Sequence, residues 1–354
     1  MTKLDFTALR NLKENIISVV YGDQSLDRNS IGYNSGWSRE NSNIPVFSAT
    51  EENFNPGGGG NLACNVQTFV DDVIVCGLWG GPADIYRKEL ERQFGKRDIK
   101  TFGMLEAERT GVFGKMYLRS GVHVARSDVA LPKMNAEMVK AMRIKIEYVL
   151  GYGATQILVA DYDEVGMGIC RSEILKMLTE SRSTVTFGTS RLRIREMKDF
   201  DFLFLNEKEL AGQVAEDYEG NDVKASVLML ATNANCLVLT LAGRGVAVYF
   251  TPDVFGLPDG TLRFHRLHPE GFDIAGILVS SVPLKDVDPC GCGDTFMAAF
   301  SSAIMANYNV SQAASIGNAA ARVVARKKFG AAAPSMDEVE KEYVEIQKAF
   351  EVKA

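Results

Sequence analysis

Short apolar runs that alternate with helix-patterned stretches limit the folds open to this chain more than any other feature. The runs at 15–22 (NIISVVYG), 71–80 (DDVIVCGLWG), 154–161 (ATQILVAD), 183–188 (STVTFG), 201–206 (DFLFLN) and 234–243 (ANCLVLTLAG) have the length and residue types of buried strands. Between them, 83–94, 135–150, 168–181 and 221–233 repeat apolar residues at the three- and four-residue spacing of a helix face. A strand apolar at nearly every position needs cover on both faces. The alternation therefore predicts an α/β fold with a mostly parallel central sheet, helices on each side and right-handed crossovers.

Two segments break the rhythm. Residues 29–56 and 110–130 are turn-rich, alternate in the β manner and contain no helical pattern. They are expected to form a small second sheet on the main domain, since each is too short to bury a core. Residues 1–354 are thus read as a single domain, closed by a charged amphipathic helix packed on its outside. A net charge of −6 argues against a general nucleic-acid binder. No apolar run reaches the roughly 18 residues that span a bilayer, and the N-terminus lacks a secretory pattern. The expectation is a cytoplasmic protein whose six cysteines are reduced and mostly buried.

The chemistry gathers in a few motifs. In DPCGCGDTFMAAF (288–300), the Cys290/Cys292 pair has no second pair nearby, and His123, His265 and His268 lack ligand spacing to it. The glycines are more telling: Gly291 and Gly293 let the backbone turn closely against a ligand at the start of an apolar helix, whose first amides attract an anion. Asp294 in that turn either caps the helix or faces a substrate hydroxyl as general base. In NPGGGGNLACNVQTF (55–69), four glycines and Asn61 lead straight into a helix, giving the main chain close access to a polar ligand. Asp23 and Asp27 follow the first strand, where open α/β sheets bind ligands, although a turn aspartate at the surface fits as well. Asn206 and Glu209 share one helix face, suiting either water-mediated Mg²⁺ contact or an N-cap. Thr240 and Gly243 end a strand that turns into a hairpin.

Taken in order, these motifs resemble the ribokinase (PfkB-type) carbohydrate kinase family over roughly residues 16–335. Asp near the first strand is followed by GGxxN, N-x-x-E, T-x-x-G-x-G and D-x-x-G-x-G-D, the last being the most specific. GDQSLDRNSIG, SRENSNIPV, NPGGGGNLACNV and VADYDEVG are similar to its heptose 7-phosphate kinase branch, the kinase half of ADP-heptose synthase. The nucleotidyltransferase half has no counterpart in these 354 residues.

The resemblance implies a ribokinase-like three-layer α/β/α fold in which the two β-rich segments form a lid, commonly a homodimer interface. It implies MgATP-dependent phosphorylation of a sugar or sugar phosphate, with Asp294 as base and Gly291, Cys292 and Gly293 as anion hole. The acceptor would meet Asp27, Gly58, Gly59 and Asn61, with Lys115, Arg119, Arg126 and Arg191 available to a phosphate. Asn206 and Glu209 would serve magnesium and phosphate, and Thr240, Gly243, Gly245 and Asn318 would border ATP. The segment 317–335 would line the adenine pocket. Glu164 stands where the heptose branch carries lysine, and TFGTSR (186–191) replaces an aspartate–proline–lysine segment. These changes motivate an alternative, a kinase-derived sensor or assembly protein that binds sugar and nucleotide without turnover. Cys292, at a helix N-terminus, is expected to be a low-pKa, peroxide-sensitive thiol.

Overall fold

A computed structural model describes residues 4–12, 16–162, 168–181, 183–252, 262–263, 274–285, 287–327 and 333–351. In chain order the strands are β1 (Ile17–Gly22), β2 (Gln24–Trp37), β3 (Pro45–Gly58), β4 (Asp72–Trp79), β5 (Lys100–Glu106), β6 (Gly111–Leu118), β7 (His123–Val129), β8 (Gln156–Asp161), β9 (Val185–Ser190), β10 (Phe202–Asn206), β11 (Cys236–Thr240), β12 (Gly245–Phe250), β13 (Leu262–Arg263) and β14 (Ala275–Ser280).

The central sheet has the order β13-β14-β12-β11-β10-β9-β8-β1-β4-β5. From β11 through to β5 neighbouring strands pair in parallel, while β12, β13 and β14 add an antiparallel edge. Its apolar strands bury both faces, as a sheet covered by helices requires. On one face Phe187 stacks on Phe202 at 4.8 Å between centroids, and Phe204 meets Phe300 edge-on at 5.4 Å. On the other, Met142, Ile146, Leu175 and Leu178 pack against Leu203 and Val159.

Asp84 and Asn135 cap the helices Ile85–Gly95 and Ala136–Gly151, and a capping box opens Val310–Ala325. The last helix, Met336–Glu351, is tied to Val310–Ala325 through Glu342. That buried carboxylate accepts from Arg322 at 2.7 Å and also from Arg326. No helix among the described residues is long and apolar enough to cross a membrane.

The second sheet is the expected lid, in the order β3-β2-β6-β7. It is larger than its sequence bounds. β2 starts at Gln24, with only Asp23 between it and β1, and β3 runs on to Gly58, directly before the helix Gly59–Val66. A long hairpin thus connects the central sheet to the lid and returns to the helix, so residues expected in turns sit in paired strands.

Candidate active site

Two groups of side chains meet where β1, β2 and β8 approach the N-terminus of the helix Cys292–Met305. The first surrounds Asp294. Gly291, at φ +77°, is the N-cap, and no side chain caps this helix. The Asp294 carboxylate is buried: Oδ2 accepts from Asn61 Nδ2 at 2.6 Å and Oδ1 from the Tyr162 hydroxyl. Behind Asn61, Asn65 Nδ2 donates to the Asn61 carbonyl at 2.8 Å, and Thr295 Oγ1 donates to Asn65 Oδ1 at 2.8 Å. The chain of bonds fixes the helix Gly59–Val66 against the helix that carries Asp294. Burial pushes the Asp294 carboxyl up to about 6, against the hydrogen bonds from Tyr162 and Asn61. A carboxylate so placed is poised to take a proton near neutral pH.

The second group joins lid to helix. Asp27 lies in β2 and is buried; its Oδ2 accepts from Lys115 Nζ of β6 at 2.7 Å. Lys115 Nζ also lies 3.0 Å from Cys290 Sγ. Burial opposes the lysine charge, but Asp27 and the Cys290 sulfur outweigh it and its pKa rises. Arg126, paired with Lys115 across β6 and β7, lies over the Phe113 ring at 4.9 Å. Arg191 lies over the Tyr162 ring at 5.4 Å.

The glycine run serves packing as much as ligand access. A Cβ on Gly58, at φ +54°, would lie 2.4 Å from the Asp23 carbonyl, and one on Gly59 2.8 Å from Gln24 Nε2. Gly59 and Gly60 form the first turn of the helix, so Asn61 lies inside it rather than opening it. Gly293, by contrast, faces space: a Cβ there would meet nothing within 4 Å. Cys292 N–H is bonded to the Pro289 carbonyl at 3.2 Å, leaving the Gly293 and Asp294 amides as first-turn donors without intrahelical acceptors.

The remaining expected residues lie along β10, β11, β12 and β14. Asn206 and Glu209 form a reciprocal capping box, each side chain accepting the other's backbone N–H at 2.9 Å. Burial raises the Glu209 carboxyl, a condition a nearby cation would relieve. Among the described residues no group of three or more His, Cys, Asp or Glu could hold a metal, so Mg²⁺ here would keep most of its water. Thr240 Oγ1 donates to the Leu205 carbonyl at 3.2 Å. Gly243 sits in the 3₁₀ turn Ala242–Arg244, and a Cβ on Gly245 would lie 2.1 Å from the Val279 carbonyl. Asn318 lines a cleft of about 320 Å³ with Val279, Ser280, Ser315, Tyr343 and Ile346.

This geometry can be set beside known proteins. Residues 186–337 match the pfkB family carbohydrate kinase. The match lies in the C-terminal part of the chain and covers less than half of it. The chain is 23% identical over 337 residues to the bifunctional protein HldE of a Nitratiruptor species, covering 94% of this chain and 66% of that protein. It spans less than two thirds of the length of the curated relatives it matches. Phosphofructokinase-2 from Escherichia coli in complex with potassium aligns at TM-score 0.71 and 16% identity, over 94% of this chain and 99% of that one. Arabidopsis thaliana ribokinase complexed with ribose and ATP aligns at TM-score 0.61 and 18% identity, over 93% and 98%. The fold is therefore ribokinase-like.

Two open alternatives close and one sequence expectation changes. Asp294 is no cap, because its carboxylate turns to Tyr162 and Asn61 instead of the helix amides. Asp27 is no surface turn residue but a buried strand residue with a lysine partner. Cys292 is no activated thiol. Burial pushes it up to about 12, and its Sγ lies 3.6 Å from the Ala321 carbonyl. It is Cys290 that faces the lid lysine. Tyr162 was missed, although its place just after β8 marks a carboxyl end of the sheet. Glu164, His265 and His268 lie outside the described residues.

Proposed function

We propose that this protein is an ATP-dependent kinase of a sugar phosphate, with Asp294 as the general base. The observation that carries the reading is a buried carboxylate, raised to about 6, in the first turn of the Cys292–Met305 helix beside the open space at Gly293. As the acceptor hydroxyl attacks the γ-phosphorus, its proton passes to Asp294 and the bond to the β–γ bridging oxygen breaks, releasing ADP. The amides of Gly293 and its neighbours, among the residues 291–293, take the charge on the transferring group. Asn61 holds the carboxylate, and Asp27 with Gly58 and Gly59 borders the acceptor. Lys115, Arg126 and Arg191 would supply positive charge for a phosphate on the acceptor, Lys115 being paired with Asp27 and Arg126 with Asp128.

Glu209, with Asn206, would hold Mg²⁺ through water, and the ion would neutralise charge shared by the β- and γ-phosphates. Thr240, Gly243 and Gly245 would border the phosphates and ribose, and the cleft beside Asn318 has the size for an adenine ring. Likeness to proteins named HldE supports a heptose phosphate as acceptor. An ADP-release assay across sugars and sugar phosphates tests this, with the largest rate expected for a seven-carbon sugar phosphate. ADP release with none of them, alongside thermal stabilisation by sugar or ATP, would replace the kinase with a binding sensor.

The lid also supports a homodimer within a single-domain protomer. Tyr33, Trp37, Ile44, Val46, Val122 and Val124 are all exposed on it, and an apolar patch of that kind marks an interface. The protein is expected to sediment as a dimer at micromolar concentration and Trp37→Asp/Val124→Asp as a monomer. A monomeric parent protein would rule this out.

A further inference from the structure

β2 carries a buried side chain that none of the foregoing uses. Asn29 is fully buried, and neither its Oδ1 nor its Nδ2 has a hydrogen-bond partner among the described residues. An unpaired amide in that position costs free energy unless something supplies its bonds.

Its surroundings indicate what that is. Strand alternation puts Asn29 on the same face of β2 as Ser25 and Asp27. Gly57, opposite Ser25 in β3, confirms that face, since a Cβ on it would meet both Ser25 Oγ and Asp27 Oδ1. Asn29 is also in register with Lys115 of β6, the residue that bridges Asp27 and Cys290. The amide thus lies one alternation, about 7 Å, further into the lid than Asp27. Through Lys115, its neighbour in β6, this stripe reaches Cys290 at the start of the Cys290–Asp294 turn. Ser25 Oγ on the same stripe likewise has no partner among the described residues.

Polarity selects the ligand. Asn29 offers donors at Nδ2 and an acceptor at Oδ1, and both are unsatisfied. A phosphate dianion satisfies only the donors and leaves Oδ1 unpaired. A hydroxyl pair donates and accepts, and so satisfies both. We propose that Asn29 is a specificity-determining residue that binds a hydroxyl pair of the acceptor, on the lid side of Asp27. This rests on the sugar-kinase reading above and deepens it. The acceptor must then carry adjacent hydroxyls beyond the group held at Asp27.

Asn29→Leu, close in volume, tests the assignment. With the best acceptor from the panel, KM for the acceptor should rise about 10- to 100-fold, the loss of one or two hydrogen bonds. KM for ATP should stay within about twofold, and the melting temperature should not fall, because an unsatisfied amide has been removed. The parent protein gives a second measurement that needs no variant: one monodeoxy acceptor should lose a comparable factor there, and lose nothing further in Asn29→Leu. An unchanged acceptor KM, or deoxy penalties equal in both proteins, would overturn the role of Asn29 alone. If the parent neither turns over nor binds any sugar, the kinase reading itself fails and takes this inference with it.

Discussion

Asp294→Asn is expected to lower kcat by about a thousandfold while ATP binding, followed by calorimetry, stays near that of the parent. Loss of a general base typically costs 10² to 10⁴, and this carboxylate is a buried acid in the first turn of the Cys292–Met305 helix. The change is nearly isosteric, and the amide still offers Asn61 or Tyr162 an acceptor. Stability should not suffer. The folded-state pKa, about 6, lies above the reference of 3.8, so between these values the native protein binds more protons here than the unfolded chain. The contribution of this group to stability is therefore full below pH 3.8 and lost as the pH rises through about 6. The variant lacks that penalty at pH 7 to 8 and should melt no lower than the parent. The same titration sets the acid limb of kcat/KM in the parent, which should fall about tenfold per pH unit below about 6. Activity within tenfold of the parent, or an acid limb near pH 4, would remove Asp294 from the role of base.

The largest stability loss is expected at Arg193. Asp161, at the end of β8, is fully buried and ion-paired with Arg193 Nη2 at 2.9 Å, and it also accepts from Ser190 Oγ at 2.5 Å. Arg193 also donates to the Cys170 carbonyl at 2.9 Å. Arg193→Met would strand a buried carboxylate beside Tyr162, and breaking such a pair costs about 3–5 kcal/mol. That is a large share of the total for a typical domain. Urea unfolding should show the loss, and Asp161→Asn/Arg193→Met should recover more than half of it. A single-variant cost below about 1 kcal/mol would mean that the pair does not hold the β8–β9 ends together.

The parallel sheet and its helices were legible because both signals are local: β-branched apolar runs for strands, three- and four-residue spacing for helices. The strand read at 154–161 and the helix read at 221–233 fall within two residues of Gln156–Asp161 and Asn221–Thr232. The antiparallel edge was only partly legible, as the hairpin after Thr240. The lid was seen as β-rich but cut short, because β2 leaves β1 with only Asp23 between them. Polar residues such as Gln24 and Ser25 lie before the segment read as β-rich, yet in the fold they are buried strand positions.

The glycine-rich turn and the helix that follows it were legible for the same local reason: they are contiguous in the chain. Sequence by itself determined the α/β framework, the lid and which acids stand at strand or helix ends. Only the tertiary structure decided what those acids are. Asn61 reaches Asp294 across 233 positions, and Lys115 reaches Cys290 across 175. Burial and neighbouring groups raise a carboxyl's pKa, and neither exists until distant segments pack. The thiols show the converse, for Cys290 and Cys292 are alike in sequence yet separated by the fold. One turns to a lysine and the other to a helix carbonyl.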